Sequence, residues 1–275
     1  MARIRLDVLL VERGLAESRE RAKRDILAGW VKVNGETIRT VAKTVTGCEN
    51  ITVERPKGLF VSRGGVKLAR ALSVFGINVS GVAACDLGAS TGGFTDCLLK
   101  AGAAHVDAVD VGYGQLDYSL RADPRVTVRE RTHVNSLKAE DFLVPVAFVS
   151  IDLSFISLTK VMSHVCQLFP HAEGVALVKP QFEAAAGELK KGVVRREKDH
   201  AAILARTLAA LVGEGCVIKG LCPSPIKGPA GNIEFLLHFS FAGEGALPDT
   251  IPSLAASAAA AAHVLFAKNE DETEA

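Results

Sequence analysis

An α/β fold, a doubly wound sheet of seven strands preceded by a small basic α+β module, is what this 275-residue sequence predicts. Apolar strand candidates at 82–85, 106–109, 126–128, 146–151, 174–178, 216–221 and 233–239 alternate with helical stretches, the pattern of a sheet covered on both faces. The first of them runs into Asp86-Leu87-Gly88-Ala89-Ser90-Thr91-Gly92-Gly93-Phe94-Thr95. This glycine-rich turn opens a helix and presents unpaired amides at the carboxyl edge of the sheet. Charge separates the two ends of the chain: residues 1–70 carry 15 Lys and Arg against 8 Asp and Glu, and the remainder carries 17 against 23. A basic amino-terminal unit fits a polyanionic partner.

Taken in order, residues 5–13 place Leu6, Leu9 and Leu10 on one helical face and stop before Gly14, a residue suited to a left-handed helix end. Ser18 is the expected N-cap of a second helix. Its apolar stripe is Ala22, Ile26 and Leu27, and Arg19, Lys23 and Arg24 share the other side. Val31-Lys32-Val33 then alternates apolar and basic, Asn34-Gly35 is a two-residue hairpin turn, and Thr37 to Arg39 begins the return strand. Residues 51–53 close the unit. Pro56-Lys57-Gly58 reads as a linker, which sets the first domain at 1–58.

The larger domain is expected over 59–245. Ser62-Arg63-Gly64-Gly65-Val66-Lys67 enters a helix whose apolar stripe is Leu68, Ala71, Leu72 and Phe75, with Lys67 off that stripe near the helix start. The spacing of the glycines in the following turn decides which ligand it suits. A dinucleotide fingerprint needs G-x-G-x-x-G, and here Ser90 stands where the second glycine would let a pyrophosphate approach. Asp86, Gly88, Ser90, Gly92, Gly93 and Phe94, with Asp110 at the end of the next strand, instead suit S-adenosylmethionine. Backbone and Asp86 would lie near the methionine end and Asp110 on the ribose hydroxyls.

Three further polar residues mark strand ends, where this architecture does chemistry. Asp152 follows Phe148-Val149-Ser150-Ile151, and Lys179 precedes Pro180-Gln181-Phe182-Glu183. Glu234 opens the final strand, so it faces the same edge only if that strand runs antiparallel. Residues 183–200, with Lys190, Lys191, Arg195 and Arg196, are expected as a mobile basic loop over the substrate. Residues 246–275 read as an alanine-rich tail, helical in part, with a disordered acidic end.

Six cysteines include no Cys-x-x-Cys pair and no ligand-like spacing with the seven histidines, so neither a metal site nor a disulfide framework is expected. Residues 1–20 lack the apolar stretch of a signal peptide, and no run of 18 consecutive apolar residues occurs. The expectation is a cytoplasmic protein without membrane contact.

The order helix, helix, Val-Lys-Val-Asn-Gly hairpin, with Arg-Leu-Asp at its start and Ser-Arg-Glu-Arg-Ala at the second helix, resembles the RNA-binding S4 domain. Lys67, Asp152, Lys179 and Glu234, with the Asp86 to Thr95 turn between the first two, resemble the Lys-Asp-Lys-Glu tetrad of FtsJ-like RNA 2′-O-methyltransferases. Together they resemble the TlyA family, historically called hemolysins and implicated as ribosomal RNA cytidine-2′-O-methyltransferases. The segment Glu130-Arg131-Thr132-His133-Val134-Asn135 departs from the family's Arg-Thr-Asn pattern at His133.

The resemblance implies a Rossmann-like S-adenosylmethionine-dependent methyltransferase acting on a ribose hydroxyl, of cytidine, in ribosomal RNA of the 30S or 50S subunit or both. It implies that Lys179 contacts the attacking oxygen while Asp152 and Glu234 orient Lys179 and Lys67. Arg5, Arg19, Lys23, Arg24 and Lys32 become the candidates for contact with the RNA backbone. The competing expectation is a non-catalytic RNA-binding factor. A membrane-lysing role, suggested only by the old family name, has no spanning segment to support it.

Overall fold

Residues 3–16, 18–54, 60–185, 188–189, 192–228, 231–246 and 248–271 are described by the computed structural model, the side chains of 268–271 excepted. The expected linker at Pro56-Lys57-Gly58, Lys190, Lys191 and positions 272–275 lie outside the described residues.

In the amino-terminal unit β1 (Ile4–Arg5) leads directly into α1 (Leu6–Glu12), and α2 (Arg19–Ala28) follows. Ser18 caps α2 by accepting a hydrogen bond from the Arg21 N–H at 3.1 Å. Strands β2 (Val31–Val33) and β3 (Glu36–Ile38) pair with Val33 opposite Glu36, so Asn34 and Gly35, both at positive φ, form the two-residue turn. β4 (Thr44–Val45) pairs with β1 and β5 (Ile51–Val53) with β2. Leu6, Leu10, Ala22, Ile26, Val31 and Ile51 give this unit its own core. Leu27 leaves the expected stripe: it is half-buried and faces the larger domain, where it lines a cavity.

That domain runs α3 (Gly64–Phe75), β6 (Ala83–Leu87), α4 (Gly93–Lys100), β7 (His105–Val109), α5 (Tyr118–Arg121), β8 (Val126–Arg129), β9 (Phe148–Ile151), α6 (Met162–Leu168), β10 (Glu173–Val178), α7 (Pro180–Glu183), α8 (Glu197–Gly213), β11 (Val217–Pro223), β12 (Phe235–Ser240) and α9 (Ile251–Asp271). The sheet order is β11-β12-β10-β9-β6-β7-β8. Its pairs are parallel except those of β12, which runs antiparallel between β10 and β11. Val178 pairs with Phe235, so the start of β12 lies at the carboxyl end of β10 and the topological condition attached to Glu234 is met.

Helices cover both faces. Leu68, Ala71, Phe94 and Leu98 from α3 and α4 pack on Val106, Ala108 and Leu177. On the other face Met162, Val165, Leu204 and Leu208 meet Ile151, Val178 and Phe235. Each fully buried Leu or Phe contributes about 2 kcal/mol relative to exposure. The chain order reverses between β6 and β9, which makes the crevice beyond their ends the place for a ligand.

The alanine-rich segment, expected as a separate tail, is a layer of this domain. Ile251, Ala255, Ala258, Ala259, Ala262 and Phe266 of α9 are buried against α8 and β11. Alanine on both faces of the helix flattens the amphipathic contrast that would have announced the packing. The exclusion of any membrane-length segment also needs correction on composition: Pro248–Ala267 is long and apolar enough, with mean hydropathy 1.5, although a third of it is buried inside the protein.

Candidate active site

Beyond β6 the chain turns through Gly88 (φ 90°) and Ser90 (φ 48°) to Gly92 (φ 92°), the N-cap of α4. Gly88 is demanded twice, by its left-handed backbone and because a Cβ there would stand 2.5 Å from the Asp152 carbonyl oxygen. Gly93 serves a different end, letting the start of α4 pack against Ser62 and the Gly64-Gly65 start of α3. Asp110 accepts the Ser90 N–H at 2.8 Å and the Gly112 N–H at 2.6 Å, one on each carboxylate oxygen. Each oxygen keeps a second lone pair, so Asp110 shapes the turn and retains capacity for ribose hydroxyls.

Asp86 corrects the sequence reading. It is fully buried, accepts hydrogen bonds from Thr95 Oγ1 at 2.6 Å and Ser150 Oγ at 2.8 Å, and does not line the cavity beside the turn. Its register opposite Ser150 on β9 keeps the carboxylate over the sheet. Burial pushes this carboxyl up to about 6, against the pull of the two hydroxyl donors. Asp86 therefore braces α4 and β9 beneath the turn.

Lys67 stands in the first turn of α3, its Nζ 2.5 Å from Oε2 of Glu234, whose side chain is 1% exposed. Lys179 ends β10, where Pro180 at the first helical position starts α7. Its Nζ lies 2.7 Å from Asp152 Oδ1 and 2.9 Å from Ser154 Oγ. Burial alone would raise the Asp152 carboxyl, but Lys179 and Lys67 outweigh it and hold the group below the usual carboxylate range. Since Asp152 responds to both lysines, the two ion pairs act as one cluster. All four residues line a cavity of about 470 Å³ together with Gly88, Ser90, Gly93 and Phe94. Gly92 and the half-buried Asp110 adjoin this lining, Gly92 in the chain and Asp110 through the Ser90 N–H, without being part of it.

The structure adds residues that the sequence did not flag. Phe155, 90% exposed with φ 64°, projects beside the cluster, its ring 5.2 Å from that of Phe182. Glu183 fixes the segment that follows by accepting Ser157 Oγ at 2.5 Å and the Leu158 N–H at 2.9 Å, and burial pushes its carboxyl up. Arg63 lines the cavity from the larger domain and Leu27, Ala28 and Arg39 line it from the amino-terminal one. The proximity of Ser154-Phe155 to Asp152 in the chain was an available signal; for Arg39 there was none, because its place depends on how the domains meet.

The basic candidates are all engaged within the protein. Arg5 and Arg19 bond the buried Asp7 at 2.9 and 3.2 Å, Lys23 pairs with Glu20 at 3.5 Å and Lys32 with Glu54 at 2.7 Å. The Lys23 and Lys32 pairs are exposed enough to exchange for phosphate, whereas Arg5 and Arg19 also neutralise a carboxylate with no solvent contact. Arg24 differs from the expectation of an open basic face. Only 19% exposed, it turns with Arg21 toward Asp117, the N-cap of α5, at 3.7 and 3.9 Å, and so joins the two domains. His133, where the family pattern is broken, caps the following turn by accepting the Asn135 N–H on Nδ1 at 3.1 Å, the work an asparagine side chain would do.

The turn fits S-adenosylmethionine: Gly88, Ser90 and Gly93 line the cavity, and α4 begins at Gly92 with no side-chain cap from that residue on its first amides. A seven-stranded sheet with its last strand inserted antiparallel, carrying this turn, defines an S-adenosylmethionine-dependent methyltransferase fold. The FtsJ-like methyltransferase family matches residues 60–241, and the S4 domain family matches 4–51. With these two modules in one chain, the protein belongs to the TlyA family.

YqxC of Bacillus subtilis is 47% identical over 251 residues, covering 90% of this chain and 89% of that protein. The 16S/23S rRNA (cytidine-2′-O)-methyltransferase TlyA of Mycobacterium tuberculosis is 44% identical over 238 residues, covering 86% of this chain and 89% of that one. Among solved structures, a hemolysin-like protein from Streptococcus thermophilus superposes with a TM-score of 0.75 at 40% identity, covering 98% of this chain and 99% of the other.

Proposed function

We propose that this protein transfers a methyl group from S-adenosylmethionine to the 2′-hydroxyl of a cytidine in ribosomal RNA of the small subunit, the large subunit or both, in the cytoplasm where ribosomes are found. The observation that carries the reading is the coupled pair of ion pairs, Lys67 with Glu234 and Lys179 with Asp152, on one cavity wall beside the Gly88 turn. The relative named as a 16S/23S rRNA (cytidine-2′-O)-methyltransferase supports the choice of base and substrate.

Bound S-adenosylmethionine supplies an electrophilic methyl on a good leaving group, so the protein's task is to aim and activate a weak ribose nucleophile. Lys179 is the residue for that oxygen. Its ammonium has three donors; Asp152 and Ser154 take two, and the third remains for the attacking oxygen, whose developing negative charge it stabilises while the hydroxyl proton is released to water as the methyl transfers. Lys67, locked to Glu234, adds a second positive charge without moving. Asp152 and Glu234 thereby position the lysines. Phe155 offers an exposed ring on which the target base can stack once it leaves its helix.

The test is transfer of labelled methyl from S-adenosylmethionine to purified 30S and 50S subunits, with nuclease mapping and Lys179→Ala as control. Labelled 2′-O-methylcytidine that disappears with Lys179→Ala supports the reading. Cofactor binding without transfer to either subunit overturns it in favour of a non-catalytic RNA-binding role.

A further inference from the structure

Arg39 belongs to the amino-terminal domain, one residue past β3, yet it lines the same cavity as the lysine and carboxylate cluster. Its guanidinium lies over Gly29, where any Cβ would collide with it, so the glycine that ends α2 also makes room for this side chain. Nη1 donates to the Leu27 carbonyl at 3.3 Å, while Nε is buried with no partner. Burial and the nearby Arg63 lower the pKa of this guanidinium, with Glu234 opposing them, so Arg39 stands within electrostatic reach of both.

Among the described residues no carboxylate forms an ion pair with Arg39 or Arg63, whereas Lys67 and Lys179 are each matched by one. The end of the cavity nearest the first domain therefore carries two guanidinium groups with no ion-pair partner among the described residues, one from each domain. Arg63 is also the N-cap residue of α3, where Ser62 Oγ accepts the Gly64 N–H at 3.3 Å, and the positive end of that 12-residue helix adds to the same field. Two half-buried guanidinium groups on one cavity wall repel each other, and an anion between them would relieve that repulsion and give the buried Arg39 Nε a partner.

We propose that Arg39 and Arg63 form an anion site shared by the two domains, which holds a backbone phosphate of the RNA next to the ribose being methylated. The proposal rests on the function given above. In RNA the 3′-phosphodiester is attached to the carbon beside the 2′-hydroxyl, so a hydroxyl at Lys179 carries its phosphate toward the adjoining wall. Planar guanidinium forks suit phosphate oxygens. The site also makes the catalytic cavity incomplete without the S4 domain, which supplies one of the two arginines. A carboxylate shares this chemistry, and the methionine end of S-adenosylmethionine is the alternative source of one.

The experiment uses the full chain with Arg39→Met, which keeps an aliphatic body over Gly29, and Arg39→Lys, which keeps the charge. Equilibrium binding to ribosomal subunits is measured at several salt concentrations, alongside calorimetry with S-adenosylmethionine, thermal unfolding and methyl transfer. Arg39→Met is expected to weaken RNA binding and raise KM about tenfold with kcat little changed. The slope of log affinity against log salt should fall by roughly 0.7 to 0.9, one phosphate's worth, and Arg39→Lys should restore much of it. Cofactor affinity and unfolding temperature should stay as in the wild type.

An unchanged salt slope overturns the phosphate site and leaves Arg39 a packing residue of the domain contact. Weakened cofactor binding with an unchanged slope assigns the anion to the methionine carboxylate and overturns it equally. Wild-type protein that binds subunits but methylates neither defeats the functional reading alone, because the binding slopes still decide whether a phosphate is held.

Discussion

The carbonyl oxygen of Asp152 stands 2.5 Å from the place a Cβ on Gly88 would occupy, and the Asp152 N–H donates to the Leu87 carbonyl at 2.9 Å. The turn after β6 and the acidic end of β9 are thus one piece of backbone. Gly88→Ala meets both a left-handed φ of 90° and a carbonyl that cannot move away. It should cost at least about 2 kcal/mol in urea unfolding and should lower cofactor affinity and turnover together.

Lys179→Ala and Asp152→Asn are expected to reduce methyl transfer by about 10² or more while calorimetry with S-adenosylmethionine gives wild-type affinity. Lys179→Ala leaves Asp152 facing Lys67 alone, so the carboxyl should titrate higher than in the wild type, which NMR of the labelled aspartate carboxyl can follow. Full turnover by either variant removes that residue from the reaction.

Asp86 makes stability depend on pH in the direction opposite to a salt-bridged carboxylate. Its pKa of about 6 in the fold exceeds the ordinary value of 3.8, so its contribution is complete below about pH 4 and is lost as pH rises through 6. Asp86→Asn stays neutral throughout and can still exchange hydrogen bonds with Thr95 and Ser150. The stability difference, variant minus wild type, should grow between pH 4 and pH 7 by on the order of 3 kcal/mol, read from urea midpoints at each pH. A flat difference would show that Asp86 is not titrating there.

Phe155 trades stability for exposure. Its φ of 64° is one that a phenylalanine adopts at a cost of about 1 kcal/mol, and its ring is almost wholly in solvent. Phe155→Gly should therefore raise the unfolding temperature slightly and lower RNA affinity about tenfold, the worth of one stacked base. Loss of stability would indicate that its contact with Phe182 is structural.

Most of the sheet was legible because each strand is a short apolar run that stops at a polar residue, and two of those stops, Asp152 and Lys179, belong to the charge cluster that lines the cavity. Glu234 was legible only on a condition of topology that one sequence does not supply. Arg39 and Leu27 owe their roles to the contact between domains, which no local pattern encodes. Asp86 was misplaced because motif position says nothing of which way a strand residue faces; its neighbour Ser150 on β9 decides that. β1 and β4, two residues each, carry too little periodicity to detect, and α9 hides its buried face among alanines.

β12 is the last strand in the chain, yet it lies between two strands made before it, and the Lys67 to Glu234 bond spans 167 residues. While the protein is being synthesised, β10 and β11 must wait with their facing edges unpaired, and Lys67 waits without its partner. Assembly of the reactive centre is therefore the closing event of sheet formation, and a high-contact-order one. A chain grown only as far as β11 holds the whole cofactor turn and three of the four cluster residues, Lys67, Asp152 and Lys179, and the Lys67 ion pair can form only after Glu234 and β12 have been made.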